Sequence, residues 1–253
     1  MSERTAIITG GAAGIGRGLT LHFARNGWRA VALDRDEQAL AELRDLVPES
    51  QFLAIPCDVG AEKDVLQAFE RIAAWTNAAH LLVNNAGIAD PFCGPLEDLS
   101  LDRWQGWVDA SLTSAFLCSR EALPLLRAGA PAAIVNISST RALQSEPDCF
   151  AYAAAKGGLC ALTHAMAVSL GPEIRVNSVL PGWIETGPWQ RSDRRSEPEH
   201  SREDRAQHPV GRVGRVEDIV DAVAWLAGEG AGFVTGQEIV VDGGMTRRMI
   251  YAD

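Results

Sequence analysis

At 253 residues, 47% hydrophobic and 22% charged, the chain has an ordinary globular composition and the length for one large α/β domain. Its net charge of −10 and pI near 5.0 exclude nucleic acid or an anionic membrane surface as the general partner. MSERTAIITG lacks the long apolar region of a signal peptide and no run of about 18 uncharged apolar residues is present to span a bilayer, so a cytoplasmic chain is expected.

In chain order, TAIIT at 5–9 is a short β-branched run, followed by the glycine-rich GGAAGIGRG and by LTLHFARNG, whose apolar residues recur at helical spacing up to Gly27. WRAVALD, ending in Asp34, is the second strand candidate, and RDEQALAELRDL the second helix. QFLAIPCD, closing at Asp58, and AEKDVLQAFERIAAW repeat the pattern. HLLVNNAG is a fourth strand, a turn-rich stretch runs from Asp90 to Pro95, and a long helix is expected over about 101–126. AAIVNISS, a long Ala-rich helix, IRVNSVLPG, the helix VEDIVDAVAWLA and the strand EIVVDGG complete the chain. Strands alternating with helices of this length call for a parallel sheet with helices on both faces. No internal repeat or linker divides the chain. The one irregular region, about 184–212, is crowded with charges of both signs; it reads either as a solvated loop or as a mobile lid over the crevice at the strand ends.

Cys57, Cys93, Cys118, Cys149 and Cys160 are odd in number, with no C-x-x-C, and the five histidines show no ligand spacing; neither a disulfide framework nor a metal site is expected. Two constellations carry chemistry. In TGGAAGIG, Gly10, Gly14 and Gly16 with Ile15 suit a tight turn, close approach of a pyrophosphate and free amides at a helix start. Asp34 lies 18 residues beyond Gly16, placed to accept hydrogen bonds from a ribose and repel a 2′-phosphate, so NAD is favoured over NADP. Arg35 beside it could instead engage that phosphate or stack on adenine. Tyr152 and Lys156 are four apart on one helix face, where the ammonium would favour the phenolate and bring the phenol toward the range of general acid-base catalysis.

These pieces, together with Asp58, NNAG at 84–87, Ser139, PGWIET at 181–186 and VDGG at 241–244, resemble the short-chain dehydrogenases/reductases of the classical subgroup over essentially the whole length. The resemblance implies a single doubly wound Rossmann-like domain with about seven parallel strands, binding a nicotinamide cofactor and a small alcohol or carbonyl substrate. It implies that Asp58 and Val59 meet the adenine, that Asn85, Ala86 and Gly87 line the ribose and pyrophosphate, Asn85 also bracing the central strands, and that Ile184 and Thr186, after Pro181 and Gly182, meet the carboxamide. Lys156 would hold the nicotinamide ribose, Tyr152 would move the proton, and Ser139, thirteen positions before Tyr152, would hold the substrate oxygen. Ser138 is then a strand-end residue, or one that touches the cofactor.

Where relatives usually carry an asparagine that holds a water behind the lysine, WVDASLTSAF offers Ser111. That departure leaves open a catalytically weak NAD-binding sensor or assembly protein, and an NADP-dependent 3-oxoacyl-type reductase is a further alternative. Arg141, Gln144, Cys149, Trp183 and Trp189 would flank the substrate. Arg141 is placed either to bind a substrate anion or to pair with Glu146 or a neighbouring subunit, and the tryptophans could equally be packing. The resemblance also suggests a homotetramer, with the long helices and the tail GMTRRMIYAD at its interfaces.

Overall fold

The computed structural model describes residues 3–249; the last four residues of the GMTRRMIYAD tail lie outside them. Seven strands form one parallel sheet in the order β3-β2-β1-β4-β5-β6-β9: β1 Thr5–Thr9, β2 Arg29–Asp34, β3 Phe52–Pro56, β4 Leu81–Asn84, β5 Ala132–Ile137, β6 Ile174–Pro181 and β9 Glu238–Val241. Side chains alternate across it with the strand period of two. Ile7, Leu33, Ile55, Leu82, Ile134 and Val176 face α3 (Glu62–Trp75) and α5 (Ser114–Ala128), and Ala6, Ile8, Leu81, Val83, Val135 and Val179 face α1 (Gly14–Arg25) and α8 (Val216–Ala227). β1, β4 and β5 are buried along their whole length, which is why they read as continuous apolar runs. α2 (Glu37–Arg44) packs beside α1 through Leu40 and Leu43, and α6 (Phe150–Leu170) adds Ala167 to the α3–α5 face.

The expected fourth helix is interrupted. α4 (Leu101–Val108) passes through a wider π turn at Asp109–Thr113 into α5, and the extra residue turns Ser111 inward, leaving it 2% exposed. Chain order reverses between β1 and β4, so the crevice beyond their C-terminal ends is where the open sheet accepts a ligand. The charged segment after β6 is built from short elements. β7 (Ile184–Glu185) pairs in parallel with β8 (Gly214–Arg215), and α7 (Arg202–Ala206) between them begins in a Ser201–Asp204 capping box. The five cysteines are free and buried, and among the described residues no helix is long and apolar enough to cross a membrane.

Candidate active site

A cleft of about 1180 Å³ opens at the crevice. Gly10, Gly14, Ile15, Asp34, Arg35, Asp58, Val59, Asn85, Ala86 and Gly87 line it, as do Ser139, Tyr152, Lys156, Pro181, Gly182, Ile184 and Thr186. The glycine turn fits a pyrophosphate. Gly10 and Gly14 have φ of +59° and +54°, and a Cβ on Gly16 would lie 1.9 Å from the Gly10 carbonyl oxygen. Gly16 therefore shapes the turn from beneath and does not line the cleft. No side chain caps α1 and no acidic residue stands in its first turn, so its amides remain open to an anion. Asp34 braces the same turn: one carboxylate oxygen accepts from Ala12 N at 3.0 Å and the other from Asp36 N at 3.0 Å.

At the other end, Ser139 stands just past β5 and caps the turn Thr140–Ala142, its hydroxyl accepting from Arg141 N at 3.1 Å. Lys156 is 4% exposed, its Nζ donates to Ile137 O at 2.8 Å, and it lies 5.7 Å from the Tyr152 ring centroid. Burial pushes the ammonium down to about 8. It also pushes the Tyr152 phenol above its ordinary value, with hydrogen bonding to Ser139 and the Arg141 charge acting in the other direction. This differs from the expectation that a helical lysine neighbour lowers the phenol: removal from water outweighs the Ser139 hydrogen bond and the Arg141 charge, and Lys156 is not among the groups that shift it. The Ser111 hydroxyl is buried without a hydrogen-bond partner. It stands behind Lys156 across Gly87, where a Cβ would lie 3.1 Å from Ser111 Oγ and 3.3 Å from Lys156 Nζ. Ser138 is consumed structurally, donating to Lys156 O at 2.8 Å.

A family model described as enoyl-(acyl carrier protein) reductase matches residues 10–246. The chain belongs to the short-chain dehydrogenase/reductase family. An uncharacterized oxidoreductase of Thermotoga maritima is 39% identical, with both chains covered in full. The cis-4-hydroxycyclohexanecarboxylate dehydrogenase of Sinomonas cyclohexanicum is 36% identical over 97% of each chain. An apo SCOR enzyme from Clostridium thermocellum superposes with a TM-score of 0.87 at 35% identity, covering 99% of this chain and 96% of that one. As a short-chain dehydrogenase/reductase, the protein is an oxidoreductase acting on CH–OH groups, with a site for a nicotinamide cofactor.

Within this dehydrogenase, two expected substrate neighbours lie elsewhere. Cys149 is 2% exposed, directs its thiol to Pro147 O at 3.5 Å and does not line the cleft. Trp189 packs against the apolar clusters around α1 and α2, because the turn at Gly187–Trp189 folds back toward the glycine turn. Arg141, Gln144 and Trp183 do line the cleft, and Arg141 pairs with Glu146. Phe92, Met245, Arg248 and Met249 also line it, from a turn and a tail with no periodic signal. Two supports were not foreseen. Thr9 Oγ1 accepts from the amides of Asn85 and Ala86, both at 3.0 Å, tying the β1 end to the cofactor strand. Asn84 donates to Asn136 at 2.8 Å and to Ser119 at 3.0 Å, and Asn136 donates to Thr163 at 2.8 Å, so a fully buried chain of amides and hydroxyls holds β4, β5, α5 and α6 in register. The paired asparagines at the ends of β4 and β5 are the signal that would have found it.

Proposed function

We propose that the protein oxidises an alcohol carrying an anionic group, with NAD as hydride acceptor and Tyr152 as general acid/base. The observation that carries this reading is the convergence of Ser139, Tyr152 and Lys156 on one wall of a cleft whose far end holds the glycine turn and Asp34. When bound, the nicotinamide takes up or gives back the hydride. The Ser139 hydroxyl holds the substrate oxygen, Tyr152 accepts its proton, and the Lys156 ammonium offsets the burial that makes the phenolate costly. Ser111 stands in for the usual asparagine as the polar group behind Lys156. Asp34, with Asp36 just beyond it, disfavours a 2′-phosphate at the ribose end. The segment 184–212 is, on this reading, a lid over the cleft.

The anionic preference rests on Arg141, whose Nε is buried and unpartnered while its Nη2 is held by Glu146, and on Arg248, which also lines the cleft. Phe92, Trp183, Met245 and Met249 add apolar surface for a hydrocarbon body. The Sinomonas relative is named for such a hydroxy acid.

The test is steady-state reduction of NAD and of NADP against a panel of hydroxy acids and their uncharged analogues, in wild type and in Tyr152→Phe. Turnover with NAD that falls about 10²–10⁴-fold in the variant, while NADH binding persists, supports the reading. Preference for NADP would refute the cofactor assignment, and turnover equal in both proteins would favour the sensor or assembly role. Arg141→Ala should raise KM for the acid and leave the uncharged analogue unchanged.

A further inference from the structure

The loop leaving β6 does more than border the substrate. It crosses the glycine turn: a Cβ placed on Gly14 would lie 3.5 Å from Thr186 Cβ and 3.7 Å from Gln190 Nε2. The next two residues then fasten to α2, some 150 positions earlier in the chain. Arg191 Nη1 donates to both carboxylate oxygens of Asp36, at 3.1 and 3.2 Å, while its Nε and Nη2 are held by Asp193 at 2.6 and 2.8 Å. The Ser192 amide donates to Glu42 at 2.9 Å and its hydroxyl to the same oxygen at 2.6 Å.

The catch is rigid. Asp36 also caps α2, accepting from Ala39 N at 3.0 Å. Glu42 is gripped from the other side by Arg17, 4% exposed, whose Nη1 donates to it at 3.2 Å. Arg17 belongs to α1 directly after the glycine turn, so its buried charge and the loop meet on one carboxylate. Hydrogen bonds from Ser192 hold Glu42 below the ordinary carboxylate range, and it stays ionised at neutral pH. Ser192 to Ser196 are exposed, so the loop side of the contact can lift while the catch stays in place.

We propose that Arg191 and Ser192 are a clasp that fastens the loop over the pyrophosphate of the bound dinucleotide, and that its opening governs cofactor release. The inference rests on the reading of the cleft as a nicotinamide dinucleotide site. A pyrophosphate seated on the amides of α1 lies beneath Thr186 and Gln190, and it leaves only when residues 186–192 separate from the turn. Arg191 and Ser192 act as positioning residues, remote from the reacting atoms.

The test is Arg191→Ala/Ser192→Ala, which spares Arg17, Asp36 and Glu42 and so leaves no buried charge unpaired. NADH release, followed by stopped-flow fluorescence on displacement with excess NAD, should be about tenfold faster, with a matching rise in the NADH Kd. Arg191→Lys should restore part of the loss. Raising the salt should speed release from wild type more than from the double variant, because the clasp is partly ionic. In the absence of nucleotide, trypsin should cut the double variant faster than wild type after Arg194 and Arg195. Release and cleavage within a factor of two of wild type would overturn the clasp. A wild type that binds no NADH would overturn the cofactor reading and retention with it, while the cleavage rates would still report whether the clasp closes.

Discussion

Replacing Lys156 by Met turns its burial into a pH-dependent quantity. The folded ammonium titrates at about 8, against about 10.4 in an unfolded chain. Between those values the unfolded state binds more protons, so this group's contribution to stability rises with pH; below about 8 its full cost is present. Working the two titrations through gives about 2 kcal/mol of relief between about pH 7 and about pH 9.5. Other groups run the opposite way. Burial holds the Cys57 thiol up at about 12 and raises Cys118 as well, so both favour unfolding once free thiols ionise. Tyr152, raised by burial, runs the same way as the thiols. Comparing Lys156→Met with wild type cancels the thiols. Urea unfolding of both proteins at the two pH values should show the variant's relative stability falling by about 2 kcal/mol from pH 7 to pH 9.5. A difference that stays constant within about 0.5 kcal/mol would show that the lysine is solvated in the folded state, refuting the argument.

Gly16→Ala places a methyl 1.9 Å from the Gly10 carbonyl oxygen and 2.6 Å from Asn85 Nδ2; calorimetry should find NADH binding weakened at least about tenfold, with the fold retained by circular dichroism. Asn136→Ala removes its bonds to Asn84 and Thr163 and leaves a void, costing about 3 kcal/mol and lowering Tm by about 6–12 °C. In a double-mutant cycle with Thr163→Val, full additivity would show the two residues uncoupled. Ser111→Ala should lower kcat for alcohol oxidation while leaving the NADH Kd unchanged, and parallel pH–rate profiles in wild type and variant would remove Ser111 from the proton path.

Strand-helix alternation, the glycine turn and the four-residue spacing of Tyr152 and Lys156 were legible in the chain, because each is written in residues adjacent or one helical turn apart. The sheet followed from buried apolar runs, which leave parallel strands few alternatives. Other features depend on which distant residues meet. The direction of the Tyr152 shift is not legible in the chain, because sequence records the neighbour at four positions and not the loss of water around both groups. Cys149 and Trp189, close in sequence to site residues, turned away from the cleft because local backbone geometry aimed them at Pro147 and at the apolar face around α1. The Asn84–Asn136–Thr163 chain spans β4, β5 and α6, and the Arg17–Glu42–Ser192 contact joins α1, α2 and the loop after β6. Sequence by itself determined which chemistry is present and on which elements. Only tertiary structure decided the protonation costs and the long-range fastenings, because burial and pairing are properties of the packed molecule and leave no period in the chain.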